Sequence, residues 1–228
     1  MTIHFKNKLG FPVSLILFLL LVCPVIRADT GVNEVLHKVV ENNKQFSKGM
    51  TVPYEREILT KSMAMLDDMG FDKATGVFFF KGPDLLKVRQ ETPTVETLTS
   101  NGKNIWWYVP DKKTVYRFDD MGRELSILCM IFMGLKDPGD TFSITGTETG
   151  TKGEYRLTLI PNEAWEEIDS IKVTVSDKDY RITRIEIYDI AGNITRFKLG
   201  EFEEKKDLDD GFFDFKIPAG VKVINETE

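Results

Sequence analysis

Apolar and polar positions alternate with two different periods along this chain. Val32, Val35, Leu36, Val39 and Val40 recur at helical spacing, with Glu34, Lys38 and Glu41 between them. One broad face is therefore apolar and the other charged, and an amphipathic helix is expected. Asp29 or Thr30 would cap its start. Further on the period shortens. Val77 to Lys81, Leu85 to Glu91, Val95 to Ser100, Ile105 to Val109 and Thr114 to Phe118 are short runs separated by Gly82-Pro83-Asp84, Thr92-Pro93, Asn101-Gly102 and Pro110-Asp111. These read as strands and turns, with a hairpin at Asn101-Gly102. The span from Tyr54 to Leu66, with Met63 and Met65, reads as strand, and DDMGFDKATG before Val77 reads as turn.

The pattern then breaks. Arg123 to Lys136 (RELSILCMIFMGLK) carries Leu125, Ile127, Leu128, Cys129, Met130, Ile131, Phe132, Met133 and Leu135, which leaves little polar face. Its length suits a helix, and a helix apolar all round is buried on every side or waiting to be. Strands resume at Thr141 to Thr147, Glu154 to Ile160, Ile168 to Ser176, Tyr180 to Tyr188 and Ile194 to Phe202. Alternation in YRITRIEIY is clean apart from a slip at Thr183-Arg184. A last strand pair is expected around Pro218-Ala219-Gly220. Many short strands with few long gaps imply an antiparallel barrel or strongly curved sheet of about eleven strands, interrupted by two or three helices.

One strand poses a problem. Successive side chains of a strand point to opposite faces. Ile105, Trp107 and Val109 therefore lie on one face, and Trp106 and Tyr108 on the other. Both faces are apolar. Either the chain covers both, or one meets apolar material from elsewhere.

The N-terminus follows a different plan. Lys6 and Lys8 precede an apolar run that is densest from Leu15 to Val22, and small residues follow at Ala28. Positive, apolar, small is the order of a secretory signal peptide. Residues 1–28 are expected to be removed, leaving 29–228 as one domain. An uncleaved anchor is the alternative, and lipid attachment at Cys23 another, although Val22 and Pro24 depart from the pattern that attachment requires.

Charge narrows the partners. The 228 residues carry 30 Lys and Arg against 36 Asp and Glu, a net charge of −6. Removing 1–28 takes Lys6, Lys8 and Arg27 and no acid, leaving 27 against 36, or −9. An acidic surface argues against nucleic acid and anionic headgroups. Beyond residue 28 the remaining cysteine is Cys129, so no internal disulfide is available there.

Catalytic motifs are missing from the sequence. His37 stands alone on a helix face, without partners for acid–base or metal work. Cys129 sits in an apolar run that would raise its pKa. Asp67-Asp68, Asp119-Asp120 and Asp209-Asp210 lack the alternating oxygen ligands of a calcium loop. Neither enzyme, cofactor nor metal is expected. An excess of apolar material remains in Phe78-Phe79-Phe80, Trp106-Trp107-Tyr108 and the Met-rich central helix. It could all be core. A soft helix of that composition could also act as a removable plug in a concave sheet, and an acyl chain would suit the space it leaves.

Several stretches resemble the LolA family of periplasmic lipoprotein carriers. An amphipathic helix follows the signal. Phe78-Phe79-Phe80-Lys81-Gly82-Pro83 is similar to the family's aromatic strand ending in Lys-Arg-Pro. Residues 100–110 (SNGKNIWWYVP) resemble its hairpin, and Phe213 to Ile224 its ending. The resemblance implies an incompletely closed antiparallel β-barrel with a helical lid over an apolar cavity. It implies a chaperone, acting as a monomer, that takes acylated lipoproteins from an inner-membrane ABC lipoprotein-release complex to an outer-membrane lipoprotein receptor. Leu86 falls where the family has an aromatic residue or leucine near the transporter-facing mouth, and Trp106 matches the hairpin tryptophan. Phe79, Leu86, Ile105, Trp106, Trp107, Leu128, Met130 and Phe132 are the expected acyl-chain contacts. A sensor domain resembling RseB and an anchored receptor resembling LolB are the alternatives. The family arginine that bonds to the lid is Gly82 here. Arg89 or Arg117 would have to replace it, or apolar packing alone would close the lid.

Overall fold

The structure, a computed structural model, describes residues 28–44, 48–61, 72–119, 122–132, 135, 138–148, 153–165, 167–206 and 208–226. Residues 1–27 of the expected leader, Met63, Met65, Leu66, Asp67-Asp68 and Asp120 lie outside them. Helix α1 (Ala28–Asn43) begins one or two residues before the expected caps. Then come β1 (Met50–Leu59), β2 (Asp72–Lys81), β3 (Leu85–Thr92), β4 (Glu96–Asn101), β5 (Ile105–Val109), β6 (Thr114–Phe118), α2 (Gly122–Phe132), β7 (Phe142–Glu148), β8 (Glu154–Pro161), β9 (Ile168–Ser176), β10 (Ile182–Asp189), β11 (Ile194–Leu199), β12 (Glu203–Glu204) and β13 (Lys222–Glu226).

All thirteen strands form one sheet in the order β13-β6-β5-β4-β3-β2-β1-β11-β10-β9-β8-β7, with β12 on the flank of β1. Among the described residues no hydrogen bonds join the two ends, so the barrel is open. A single apolar cluster draws on Met50, Phe78, Leu86, Leu157, Val173 and Ile185, from strands far apart in that order. They can share one cluster only if the sheet curls round it.

Two sequence expectations change here, and one is explained. DKATG is strand, not turn: β2 starts at Asp72. Gly76 marks a close approach, since a Cβ there would lie 2.2 Å from the Arg89 carbonyl of β3. The C-terminal segment forms no strand pair. Its one strand, β13, runs parallel to β6, with Val223 opposite Val115, and it breaks the otherwise antiparallel plan. The slip at Thr183-Arg184 is a register shift of β10 against β9, a bulge that restores the inward face after one unpaired residue.

Helix α1 lies against the edge strand β7. A Cβ on Gly146 would meet Val32 at 2.5 Å, so this contact needs a glycine. Lys38 donates to the Tyr180 hydroxyl at 2.9 Å, and Asn42 Nδ2 to the Asp179 carbonyl at 2.7 Å. These bonds fix the outer side of α1 to the β9–β10 turn.

Candidate functional site

Strand pairing sets the two faces of the aromatic half of the sheet. Phe80, Leu86, Ser100 and Ile105 sit opposite one another across β2 to β5, and Phe78, Val88, Leu98 and Trp107 form the next row. These rows face the interior. Phe79, Lys87, Thr99 and Trp106 form a row on the outside.

The chain covers both faces. Outside, residues 208–215 cross β2 to β5 as a strap. Asp209 caps a 3-10 turn by accepting from the Phe212 amide. Lys81 donates to the Leu208 carbonyl at 3.0 Å and pairs with Asp210 at 2.7 Å, and Lys87 donates to the Phe212 carbonyl at 2.6 Å. Burial holds the Lys87 ammonium below its ordinary pKa, helped by the nearby Arg89. Phe212 meets Phe79 at 5.2 Å, while Phe215 meets Trp106 at 6.2 Å and Tyr108 at 5.9 Å. The Trp-Trp-Tyr strand is apolar on both faces because the strap shields its outer one.

Inside, α2 fills the concave face. Ile127, Leu128, Cys129, Ile131 and Phe132 are buried in the main cluster, with Met130 packed against it and Ser126 exposed. Phe132 meets Phe80 at 5.8 Å. The space assigned to an apolar cavity is thus occupied by helix side chains. Two clefts lie elsewhere and are largely polar. One of about 210 Å³ is bordered by Glu34, Lys38, Tyr155 and Tyr180, and one of about 380 Å³ by Glu55, Glu57, Arg184, Arg196 and Lys198.

The expected contact residues divide accordingly. Leu86, Leu128 and Phe132 share the interior cluster, and Met130 borders it. Ile105 is buried on the same face. Trp107 faces inward too, and its indole donates to Glu96 at 3.0 Å. Phe79 and Trp106 must be moved to the outer face, under the strap. Strand parity decides this: each is one residue out of step with Phe78, Phe80 and Trp107. Phe78, Phe80, Tyr54 and Val35 belong to the interior and were missed. For the two phenylalanines, the parity of Phe78-Phe79-Phe80 was the available signal.

The helix is fastened at its C-terminal end. Asn43, only 7% exposed, donates from Nδ2 to the Phe132 carbonyl at 2.9 Å. Leu135, 1% exposed, folds back so that its amide reaches the Met130 carbonyl at 2.9 Å. Its φ of 59° is left-handed, a conformation costing a leucine about 1–2 kcal/mol. Burial of its side chain offsets that strain. Among the described residues, neither proposed arginine substitute is bonded to α2. Arg89 pairs with Glu91 and lies over Phe79, and Arg117 pairs with Asp119 and Asn104. Gly82 leaves open space, with the Phe80 ring 3.8 Å from a would-be Cβ.

Chemistry at the site is quiet. Burial pushes the Cys129 thiol up to about 12, with the Asp84 charge adding to it. Burial also raises Tyr54. His37 is exposed on α1. Asp209 and Asp210 serve the strap, and among the described residues no group of three or more His, Cys, Asp or Glu could hold a metal.

The family profile described as Outer membrane lipoprotein carrier protein LolA matches residues 65–216. An outer-membrane lipoprotein carrier protein of Azotobacter vinelandii is 29% identical over 168 residues, 72% of this chain and 79% of that one. One from Alkalilimnicola ehrlichii is 27% identical over 223 residues, 96% of each. Among solved structures, an uncharacterized conserved protein of Thermus thermophilus aligns with a TM-score of 0.49 at 12% identity, over 86% of this chain and 99% of that one. A LolA superfamily protein of Nitrosomonas europaea aligns with a TM-score of 0.45 at 11% identity, over 79% and 97%. The profile spans well over half of the chain and includes the aromatic strand, the hairpin, α2 and the strap, and the chain therefore belongs to the LolA family of outer-membrane lipoprotein carrier proteins.

Proposed function

We propose that this chain is a periplasmic chaperone that carries acylated lipoproteins from the inner to the outer membrane. Their acyl chains would take the place of α2 in the curved sheet. The observation that carries the reading is the seat of α2: an apolar helix inside a carrier-family sheet, packed where a lipid chain would lie.

Magnitudes support an exchange. Ile127, Leu128, Ile131, Phe132 and Leu135 are the large apolar side chains around α2 that are buried. At about 1.5–3 kcal/mol each, they hold it with roughly 7–15 kcal/mol. An acyl chain of about fourteen CH₂ groups recovers about 11 kcal/mol at about 0.8 per group. Plug and a single acyl chain are of similar worth, so exchanging α2 for the first chain costs little net free energy. The adaptable side chain of Met130 at the border suits a site that changes occupant.

A binding role is supported by the Cys129 thiol, which burial holds protonated, and by the exposed position of His37 on α1. An inner-membrane ABC release complex would load the carrier and an outer-membrane receptor would unload it. A leader in residues 1–28 would place the chain in the periplasm. Native mass spectrometry after incubation with a triacylated lipoprotein tests the reading. A one-to-one complex, lost when the acyl chains are removed, is expected. Consistently empty protein would overturn it.

A further inference from the structure

We infer that Asn43 is the latch of the plug in this chain, a positioning residue on α1 that sets how often α2 leaves the sheet. This rests on the carrier reading proposed above and goes beyond it, because the latch stands on the neighbouring helix and not on the sheet.

The geometry is specific. Asn43 ends α1, is buried, and donates to the carbonyl of Phe132, the last residue of α2. Final carbonyls of a helix have no partner within the helix. The Asn43 amide meets that need from a different element. Once α2 moves out the bond is broken, and the Asn43 amide is left behind in a setting where an unmade bond is costly. α1 cannot easily follow, because Lys38 and Asn42 tie it to Tyr180 and Asp179, and Val32 is pressed against Gly146. The bond therefore joins a movable helix to an anchored one. Nothing on the sheet duplicates it at the three positions where a latch was sought: Gly82 has no side chain, and Arg89 and Arg117 are engaged on the outer face.

The test is native-state hydrogen exchange on the full chain, reading α2 amides against those of β9 and β10. Asn43→Ala should speed exchange of α2 by about fivefold to thirtyfold, the factor that one or two lost units of free energy give, with β9 and β10 unchanged. Asn43→Asp keeps the shape, but its ionised carboxylate cannot donate. It should release α2 as well, and it serves if the alanine variant fails to fold. Glu41→Ala, which removes an exposed pair with Lys44 at the same end of α1, should leave α2 exchange where it was.

Apolar-dye affinity gives a second readout. If dye binds only the open form, Asn43→Ala should raise its apparent affinity by the same factor as the exchange. Unchanged α2 exchange in both Asn43 variants would overturn the latch, as would equal release by Glu41→Ala. Faster exchange with unchanged dye affinity would leave the latch standing and defeat the view that guests occupy the space under α2.

Discussion

The ring of Phe132 on α2 meets that of Phe78 on β2 with centroids 5.0 Å apart and planes inclined at 58°. Phe78 also touches Tyr54 at 4.5 Å and Phe197 at 5.8 Å. Phe132 is thus the last ring of an aromatic group whose other members belong to the sheet. The group is complete only while α2 is seated.

Truncating Phe132 should loosen the plug more than the shell. Phe132→Ala removes a side chain that is 2% exposed, a change costing about 3–5 kcal/mol in a rigid core. If α2 opens apart from the sheet, the loss of global stability should fall below that range, while apolar-dye binding increases. Urea unfolding followed by circular dichroism, alongside dye titration, measures both. A full core-sized loss with no gain in dye binding would show that α2 is ordinary core.

Restoring the family arginine should close the plug. A Cβ at Gly82 meets nothing nearer than the Phe80 ring at 3.8 Å, so Gly82→Arg is tolerated by the space around it. Phe80 touches Phe132, which places a side chain from position 82 beside the helix. The variant should bind an apolar dye less tightly than the parent chain. Equal binding by both would defeat the expectation.

The strap makes a separate prediction. Phe215 lies over Trp106 and Tyr108. Replacing it with alanine should uncover Trp106 and cost about 1 kcal/mol, the share due to a half-buried ring. In a chain with Trp107→Phe and Trp165→Phe, iodide quenching of the remaining tryptophan should rise. No change in quenching would mean that something other than Phe215 shields the outer face.

How much of this was legible follows from the range of each signal. Strands such as Ile168–Ser176 were readable because alternation and turns act between neighbours. α2 was readable because nothing polar interrupts Ile127–Phe132, nearly two turns of helix. Gly76 misled because a glycine needed for close strand approach looks the same in sequence as one needed for a turn. The parallel pairing of β13 with β6 leaves no local mark: nothing in Lys222–Glu226 names its partner. Parity around Trp106 and Trp107 was read as the structure has it, but not which face was inward. That depends on Phe212 and Phe215, about a hundred residues away. Asn43 carried no sequence signal, since an asparagine ending a helix usually serves its own helix.

Cys129 offers a probe that needs no added label. It lies in α2, 4% exposed, and burial holds its thiol at about 12 against an ordinary value of 9.0. The folded chain keeps a proton that the unfolded chain releases. The resulting stability is whole below about pH 9 and is lost as pH rises toward about 12. Within that window the slope is at most about 1.4 kcal/mol per pH unit. Urea midpoints of the native chain should therefore fall faster above pH 9 than those of Cys129→Ala, with the two curves parallel at neutral pH. The same burial protects the thiol from attack, since only a thiolate within reach of solvent reacts. In a Cys23→Ser chain, an aromatic disulfide reagent should modify Cys129 far more slowly than it modifies the unfolded protein. The rate should rise with urea well below the unfolding midpoint, because the thiol is exposed whenever α2 lifts. A rate that changes only within the global transition would show that the helix leaves only when the whole fold does, and the exchange of plug for lipid would then have no route.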